Sequence, residues 1–377
     1  MRITFLMPEY PWAPTGGLRV VYEYANRLAV RGHGVTVVHP RRLRYCPAPR
    51  PTGYQWARSK VFWMRGLLSR PAIDWQPIDP RVNLSFVATS DRRYIPEGDV
   101  IFATAWHTAA TVLQYPEGKG VKCYFIQGYA GEKELVDATW HYPLHKVVIA
   151  RWLKDLGGEL GCRDLTYIPN AINHEIFRLT APIAERPRQV AMAFSREECK
   201  GSRDGIAALE IAKKGFPDLK AVFFSASRAD SSVPTWVEFH RNPPLQFILD
   251  EIYGRSSIFL CPSILEGWGL PAAEASACGC AVVSTDNGGV REYLKDGATG
   301  LLSPPGDPMK LAENLNTLLR NDSLRVQLAK QGNSFVSRLS WERSADRMED
   351  FIKNVTKRRR ALLTTSGLAL EKKSLHV

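Results

Sequence analysis

In the stretch SILEGWGLPAAEASACG, residues 263–279, two glutamates, Glu266 and Glu274, stand eight positions apart around Gly267, Gly269 and Pro271. The apolar run SIFLCPS precedes the turn and PAAEASACG follows it, which predicts a strand, a tight turn and a helix. Pro271 falls at or near the first helical position, where its missing N–H costs nothing. The amides of Gly269, Leu270 and Ala272 then point out of a helix N-terminus, which carries about half a positive charge and suits a phosphate or diphosphate. Gly267 and Gly269 let a ligand approach the backbone closely. Carboxylates repel phosphate, so Glu266 and Glu274 are matched to hydroxyl groups flanking it, each as an acceptor-only group. A nucleotide sugar has that layout, with ribose hydroxyls on one side of a diphosphate and sugar hydroxyls on the other. The same residues fit a second chemistry. GWGLPA reads G-x-G-x-x-A after a strand, and Asp286 lies at the end of the next strand, as a NAD-type dinucleotide-dependent oxidoreductase requires.

The elements around this turn are those of an α/β protein. RITFLM (2–7) reads as a buried strand, GLRVVYEYANRLAVRG carries apolar residues at helical spacing, and GVTVVHP (34–40) is a second strand, so the chain opens with a βαβ unit. DVIFATA, KCYFIQ and HKVVIA add strands to the first half. The Pro- and charge-rich segment FRLTAPIAERPRQ (177–189) breaks the pattern as a linker. QVAMAFS, KAVFFSA, SIFLCPS and CAVVST then form a second series, and past Gly306 the pattern is helical almost to Arg360. Ligands of such sheets bind outside the carboxyl ends of the strands, which favours a cleft between the two domains.

At 377 residues the prior is two domains. The longest apolar runs, such as CAVV and VVI, fall far below the ~18 residues of a membrane span. Pro8, Glu9 and Pro11 interrupt any N-terminal signal, so the expected location is cytoplasmic. Seven cysteines without C-x-x-C pairs fit reduced thiols rather than a disulfide framework or a zinc site. The net charge of +12 is local: 41–70 carries eight basic residues and no acidic one, and 357–377 carries six against one. Basic residues interleaved with Trp56, Phe62, Trp63 and Trp75 suit a membrane interface or a lipid-linked anionic acceptor, with Arg58, Lys60, Trp63 and Arg65 as the candidate contacts. Anionic lipid attracts such patches. Nucleic acid would too, but the patches belong to a loop and a tail without a base-stacking motif, so no nucleic-acid partner is expected.

Glu266 to Glu274 with GWGLP between them, followed by ASACGCAVVSTDNGGVREYLKDGATGLLSPPGD and a closing Trp-Glu helix, resembles the family 4 glycosyltransferases of the two-Rossmann (GT-B) type. The resemblance covers nearly the whole chain and is strongest over 258–307. It implies two Rossmann-like domains facing across a cleft: an acceptor domain over 1–177 and a nucleotide-sugar donor domain over 190–340. A helix over 341–356 returns toward the first domain, and a basic flexible tail follows over 357–377. It implies that Glu266 binds hydroxyls of the transferred sugar and Glu274 the ribose. Backbone amides at Trp268, Gly269 and Leu270 would hold sugar hydroxyls and phosphate. Arg196 and Lys200 in FSREECKG correspond to the family's cations facing the diphosphate, and they stabilise its departure without metal. The absence of a D-x-D motif agrees, and no cofactor beyond the donor is expected. Gly16 and Gly17 in APTGGL match the family's glycine loop over the diphosphate. His107, after strand DVIFATA, has the address of the family's first-domain histidine near the reacting sugar, with His141, His145 and His174 as competitors. Asn170 in YIPNAIN matches the "PNG" element with Ala171 in place of glycine. The implied reaction is hexosyl transfer (rhamnose, mannose, glucose or galactose) to a glycan or lipid-linked acceptor. The resemblance implies that configuration is retained by front-face attack within an ion pair, while the basic, aromatic segment gives the separate expectation of peripheral attachment at the inner face of the membrane.

Overall fold

A strand buried on both faces is predominantly apolar, and most of the runs picked out in the sequence lie in such strands. The computed structural model describes residues 1–44 and 73–374, with side chains through residue 361. Two compact units emerge: 1–168 together with 342–377, and 169–341. The first holds seven strands, β1 (Arg2–Leu6), β2 (Gly34–Pro40), β3 (Asn83–Val87), β4 (Val100–Ala103), β5 (Val121–Ile126), β6 (His145–Val148) and β7 (Leu165–Tyr167). They pair in the order β3-β2-β1-β4-β5-β6-β7, all parallel. The second holds β8 (Gln189–Ala193), β9 (Lys220–Ser225), β10 (Val237–Arg241), β11 (Ile258–Cys261), β12 (Ala281–Thr285) and β13 (Leu301–Ser303), all parallel in the order β10-β9-β8-β11-β12-β13. Both are doubly wound sheets, as expected.

Helices cover the faces: α1 (Gly16–Val30), α2 (Trp106–Leu113), α3 (Lys133–Trp140) and α4 (Arg151–Glu159) in the first unit, and α5 (Ser202–Gly215), α6 (Leu270–Ala277), α7 (Pro308–Arg320) and α8 (Asp322–Val336) in the second. In the second unit Val190, Met192, Leu260 and Val283 of the sheet meet Ile206 and Leu209 of α5 and Leu311, Leu315 and Leu318 of α7 in one apolar cluster. The central strands β4, β11 and β12 are buried at every residue. Edge strands β3, β7 and β10 are only partly buried and carry polar residues, the pattern edges need and the reason composition does not announce them.

Two expected boundaries move. The second unit begins at Pro169 rather than after 177, because Ile172 donates its N–H to the Leu339 carbonyl at 3.5 Å and the His174 ring meets the same oxygen at 3.1 Å. The segment 177–189 therefore belongs to the second unit, largely exposed but anchored by Phe177, Ile183 and Arg186, which are buried. The last helix, α9 (Trp341–Ser374), runs on through the expected flexible tail, since no proline follows and the first glycine is Gly367. It belongs to the first unit, where Arg31 binds Asp346 at 2.7 Å, Phe351 packs on Phe102, and Arg359 donates to the Glu117 carbonyl at 2.8 Å.

His39 on β2 is fully enclosed, its Nε2 2.9 Å from the Tyr22 hydroxyl and its Nδ1 2.9 Å from the Glu9 carbonyl. Burial pushes its pKa down from 6.5 to about 4, against a small opposing effect of the Glu9 carbonyl. The folded chain thus binds fewer protons than the unfolded one between those values. The stability His39 contributes is complete above pH 6.5 and is lost as pH falls toward 4, by about 3 kcal/mol. Urea midpoints at pH 7.5 and 4.5 should show a smaller acid loss in His39→Gln; an identical loss would refute the assignment.

Candidate active site

In the second unit the chain winds from β8 toward β9 on one side and from β11 toward β13 on the other, so the loops after β8 and β11 meet at the point where strand order reverses. The backbone fastens them: the amides of Ile264 and Leu265 donate to the Cys199 carbonyl at 2.8 and 3.3 Å. Gly201, at φ 59° and ψ 23°, lets the first loop turn into α5, and a Cβ there would overlap the Pro262 carbonyl oxygen. Left-handed backbone and overlap together predict that Gly201→Ala costs about 2–4 kcal/mol. Calorimetry should show the lowered transition, and an unchanged one would mean the two loops part easily.

This junction brings together side chains 66 residues apart. Lys200 Nζ lies 3.0 Å from both carboxylate oxygens of Glu266, and the Ser263 hydroxyl donates to Oε1 at 2.8 Å. Glu266 is 13% exposed and Lys200 35%. Burial alone would lower the Lys200 pKa, but the charge and hydrogen bonds of Glu266 outweigh it and raise it. Behind them the Glu266 amide donates to the Asn287 carbonyl at 3.0 Å, and residues 266 and 288 form an isolated parallel bridge. Gly289 lies so close under the turn that a Cβ would stand 2.7 Å from the Trp268 Cα.

The turn opens α6 as the sequence implies. Gly269 is its N-cap at φ 84° and ψ 52°, no side chain caps the helix, and Pro271 stands in its first two positions. Tyr293 donates to the Gly269 carbonyl at 2.7 Å and packs its ring, tilted, on Trp268 at 5.0 Å. Burial first, and then the neighbouring ionisable groups Cys261, Glu266 and Glu274, push the Tyr293 phenol far up, so it remains a donor. Trp268 is buried, and its Nε1 has no hydrogen-bond partner among the described residues. Glu274 is buried on α6, and its Oε2 accepts from the Tyr253 hydroxyl at 3.3 Å.

The other candidates are not all drawn into this cluster. Arg196 is half exposed in the β8 loop and binds the Ala229 carbonyl at 3.2 Å and Asp230 at 3.6 Å. Lys200 is the cation that reaches Glu266. In the first unit Gly16 and Gly17 open α1 after β1, with Thr15 capping through its hydroxyl, which accepts from the Leu18 amide at 3.3 Å. A Cβ on Gly17 would make ordinary contact with Gln127, so packing alone does not demand the glycine. His107 lies in the first turn of α2, after β4, stacked on Trp106 at 3.7 Å. Burial lowers its pKa, and its Nδ1 is enclosed without a partner among the described residues. Asn170 is buried near the start of the second unit. Arg58, Lys60, Trp63 and Arg65 lie outside the described residues; Trp75 packs on Tyr22 at 5.7 Å.

Ser263, Tyr253 and Tyr293 are not among the residues read from the sequence. Ser263 has a local signal, a hydroxyl three positions before Glu266 at a strand end. The tyrosines reach the site only through the sheet's topology.

The oxidoreductase reading is not supported. GWGLPA follows β11, the fourth strand of its unit, whereas a dinucleotide fingerprint occupies the first strand–helix turn. Asp286, the would-be ribose acceptor, is instead clasped by Arg291 at 2.6 and 2.7 Å.

Two doubly wound units, with a glycine turn at the switch point of the second, are the GT-B fold. Solved structures share it: Anabaena HepE in complex with UDP-glucose (TM-score 0.70, 15% identity, 94% of this chain and 100% of that one) and an S. aureus TarM mutant (TM-score 0.71, 10% identity, 93% and 99%). Residues 232–335 match the family model described as glycosyl transferases group 1, so the resemblance to GT-B enzymes of the family 4 type holds where it is strongest. A D-inositol 3-phosphate glycosyltransferase of Xylanimonas cellulosilytica is 37% identical over 113 residues, 30% of this chain and 27% of that one. An uncharacterized glycosyltransferase of Methanocaldococcus jannaschii is 37% identical over 89 residues, 24% and 25% respectively. The chain thus matches about a quarter of the length of these curated relatives.

Proposed function

We propose that this protein is a retaining glycosyltransferase that moves a hexose from a nucleoside-diphosphate sugar to a glycan or lipid-linked acceptor in polysaccharide biosynthesis. The observation that carries the reading is the Lys200–Glu266–Ser263 cluster beside the uncapped N-terminus of α6. Glu266 takes hydroxyls of the transferred sugar, Glu274 takes the ribose, and the amides at Trp268, Gly269 and Leu270 take phosphate and sugar oxygens. Lys200, with Arg196 after release from Asp230, offsets the negative charge that grows on the leaving diphosphate, a role that needs no metal. His107, neutral through burial, positions the acceptor, and Gly16 and Gly17 admit the diphosphate near α1. The Anabaena fold relative, solved in complex with UDP-glucose, supports a nucleoside-diphosphate donor.

A panel of UDP-, GDP-, ADP- and dTDP-linked hexoses scored for nucleoside-diphosphate release, repeated with Glu274→Ala, tests this. Release from no donor, or full activity in the variant, would overturn it. The basic, aromatic segment 41–70 attaches the protein to anionic membrane, where a lipid-linked acceptor resides. Neutralising Arg58, Lys60 and Arg65 should release the protein from anionic vesicles in sedimentation; unchanged binding would refute attachment through this segment.

A further inference from the structure

The chain leading into β11 contains a turn of unusual width. After the short helix Leu245–Phe247 it opens into a π-helix, Ile248–Tyr253. The Gly254 amide closes onto the Leu249 carbonyl at 2.8 Å, and any side chain at Gly254 would stand 2.7 Å from the carbonyl oxygens of Leu249 and Asp250. Such turns are rare and frequently occur at functional sites. The residue aimed by this one is Tyr253. Its ring is fully buried, edge-on to Phe224 and Phe259 at 5.8 Å each. Its carbonyl is held by Arg186 Nη1 at 3.0 Å and Cys280 Sγ at 3.2 Å. Ring and backbone are fixed before any ligand arrives, and the hydroxyl donates to Oε2 of Glu274 at 3.3 Å.

We propose that Tyr253 is a positioning residue that sets the plane of the Glu274 carboxylate and so makes the site select ribose over deoxyribose in a nucleoside diphosphate. This rests on the reading of Glu274 as the ribose acceptor. A carboxylate accepts in its own plane, and a hydrogen bond that pins one oxygen fixes the direction in which the group meets a hydroxyl. Removing that bond widens the range of the carboxylate's last torsion, which is broad and two-fold, and weakens its directional preference for the 2′-hydroxyl. A ligand lacking that hydroxyl has nothing to lose.

Calorimetric titration of wild type, Tyr253→Phe, Glu274→Gln and the double variant with UDP, GDP and ADP and their 2′-deoxy forms tests this. In wild type the ribonucleotide that binds should do so about tenfold more tightly than its deoxy form. Tyr253→Phe should bring that ratio close to one by weakening the ribonucleotide alone, and it should add nothing in the Glu274→Gln background. Equal weakening of both forms, as a purely structural tyrosine would give, or a wild type that does not discriminate, overturns the role of Tyr253 while leaving the donor site intact. Failure of all three diphosphates to bind wild type overturns the donor site itself, and the role of Tyr253 with it.

Discussion

Glu266→Gln is expected to lower sugar transfer by about two orders of magnitude, the scale on which one aimed polar group acts at a transition state. The carboxylate is held from both loops, with Ser263 on Oε1 and Lys200 across both oxygens. Glutamine keeps the volume and one acceptor but turns an NH2 toward Lys200 or Ser263, donor against donor. Lys200 then loses its countercharge, and the sugar loses an ionic acceptor. Stability should hardly move, because Lys200 is about a third exposed and such a pair contributes about 1 kcal/mol or less after solvent screening. That contrast separates a site role from a folding role. Diphosphate release and a thermal midpoint measured on one preparation decide the matter, and a rate within threefold of wild type would remove Glu266 from the site. Ser263→Ala, which leaves the charge and frees the rotamer, should fall between.

What made Glu266, Gly269, Pro271 and Glu274 legible is contiguity: turn, cap and helix lie in one stretch, and each residue type has a local reason to be there. Lys200 was readable as a cation near the site, but its pairing with Glu266 is made by the strand order, and nothing near either residue encodes it. Arg196 shows the reverse. Its address after β8 is right, yet Asp230, 34 positions on, holds it. Central strands were readable because two-sided burial forces an unbroken apolar run, whereas β3, β7 and β10 mix polar and apolar residues at sheet edges. The break at 177–189 is hard to read from composition for a physical reason too. Prolines and charges suggest solvent, and composition does not reveal that one of those charges, Arg186, is buried against backbone carbonyls.

That charge supplies the largest expected effect on stability. Arg186→Met should destabilise the second unit by about 3–5 kcal/mol, well beyond an ordinary surface change. The side chain is almost wholly buried. Its Nη1 donates to the carbonyls of Tyr253 and Ser256 at 3.0 Å each, and its Nη2 to the carbonyls of Cys278 at 2.5 Å and Ala181 at 3.5 Å. Cys278 is the C-cap of α6 and Tyr253 ends the π-turn, so one cation meets the negative ends of two helical segments, with the Cys280 thiol as a second, weaker donor to the Tyr253 and Ser256 carbonyls. Methionine fills the space and satisfies none of them. Arg186→Lys restores charge at a single point and cannot span the fork, so it should recover only part of the loss. A thermal transition lowered by about 10 °C is the expected scale for a unit of this size. Because the same guanidinium fixes the Tyr253 carbonyl, Arg186→Met should also weaken nucleoside-diphosphate binding at temperatures where the protein remains folded. A lost transition with unaltered affinity would confine Arg186 to the core, and a shift below about 1 kcal/mol would mean the buried carbonyls find other donors.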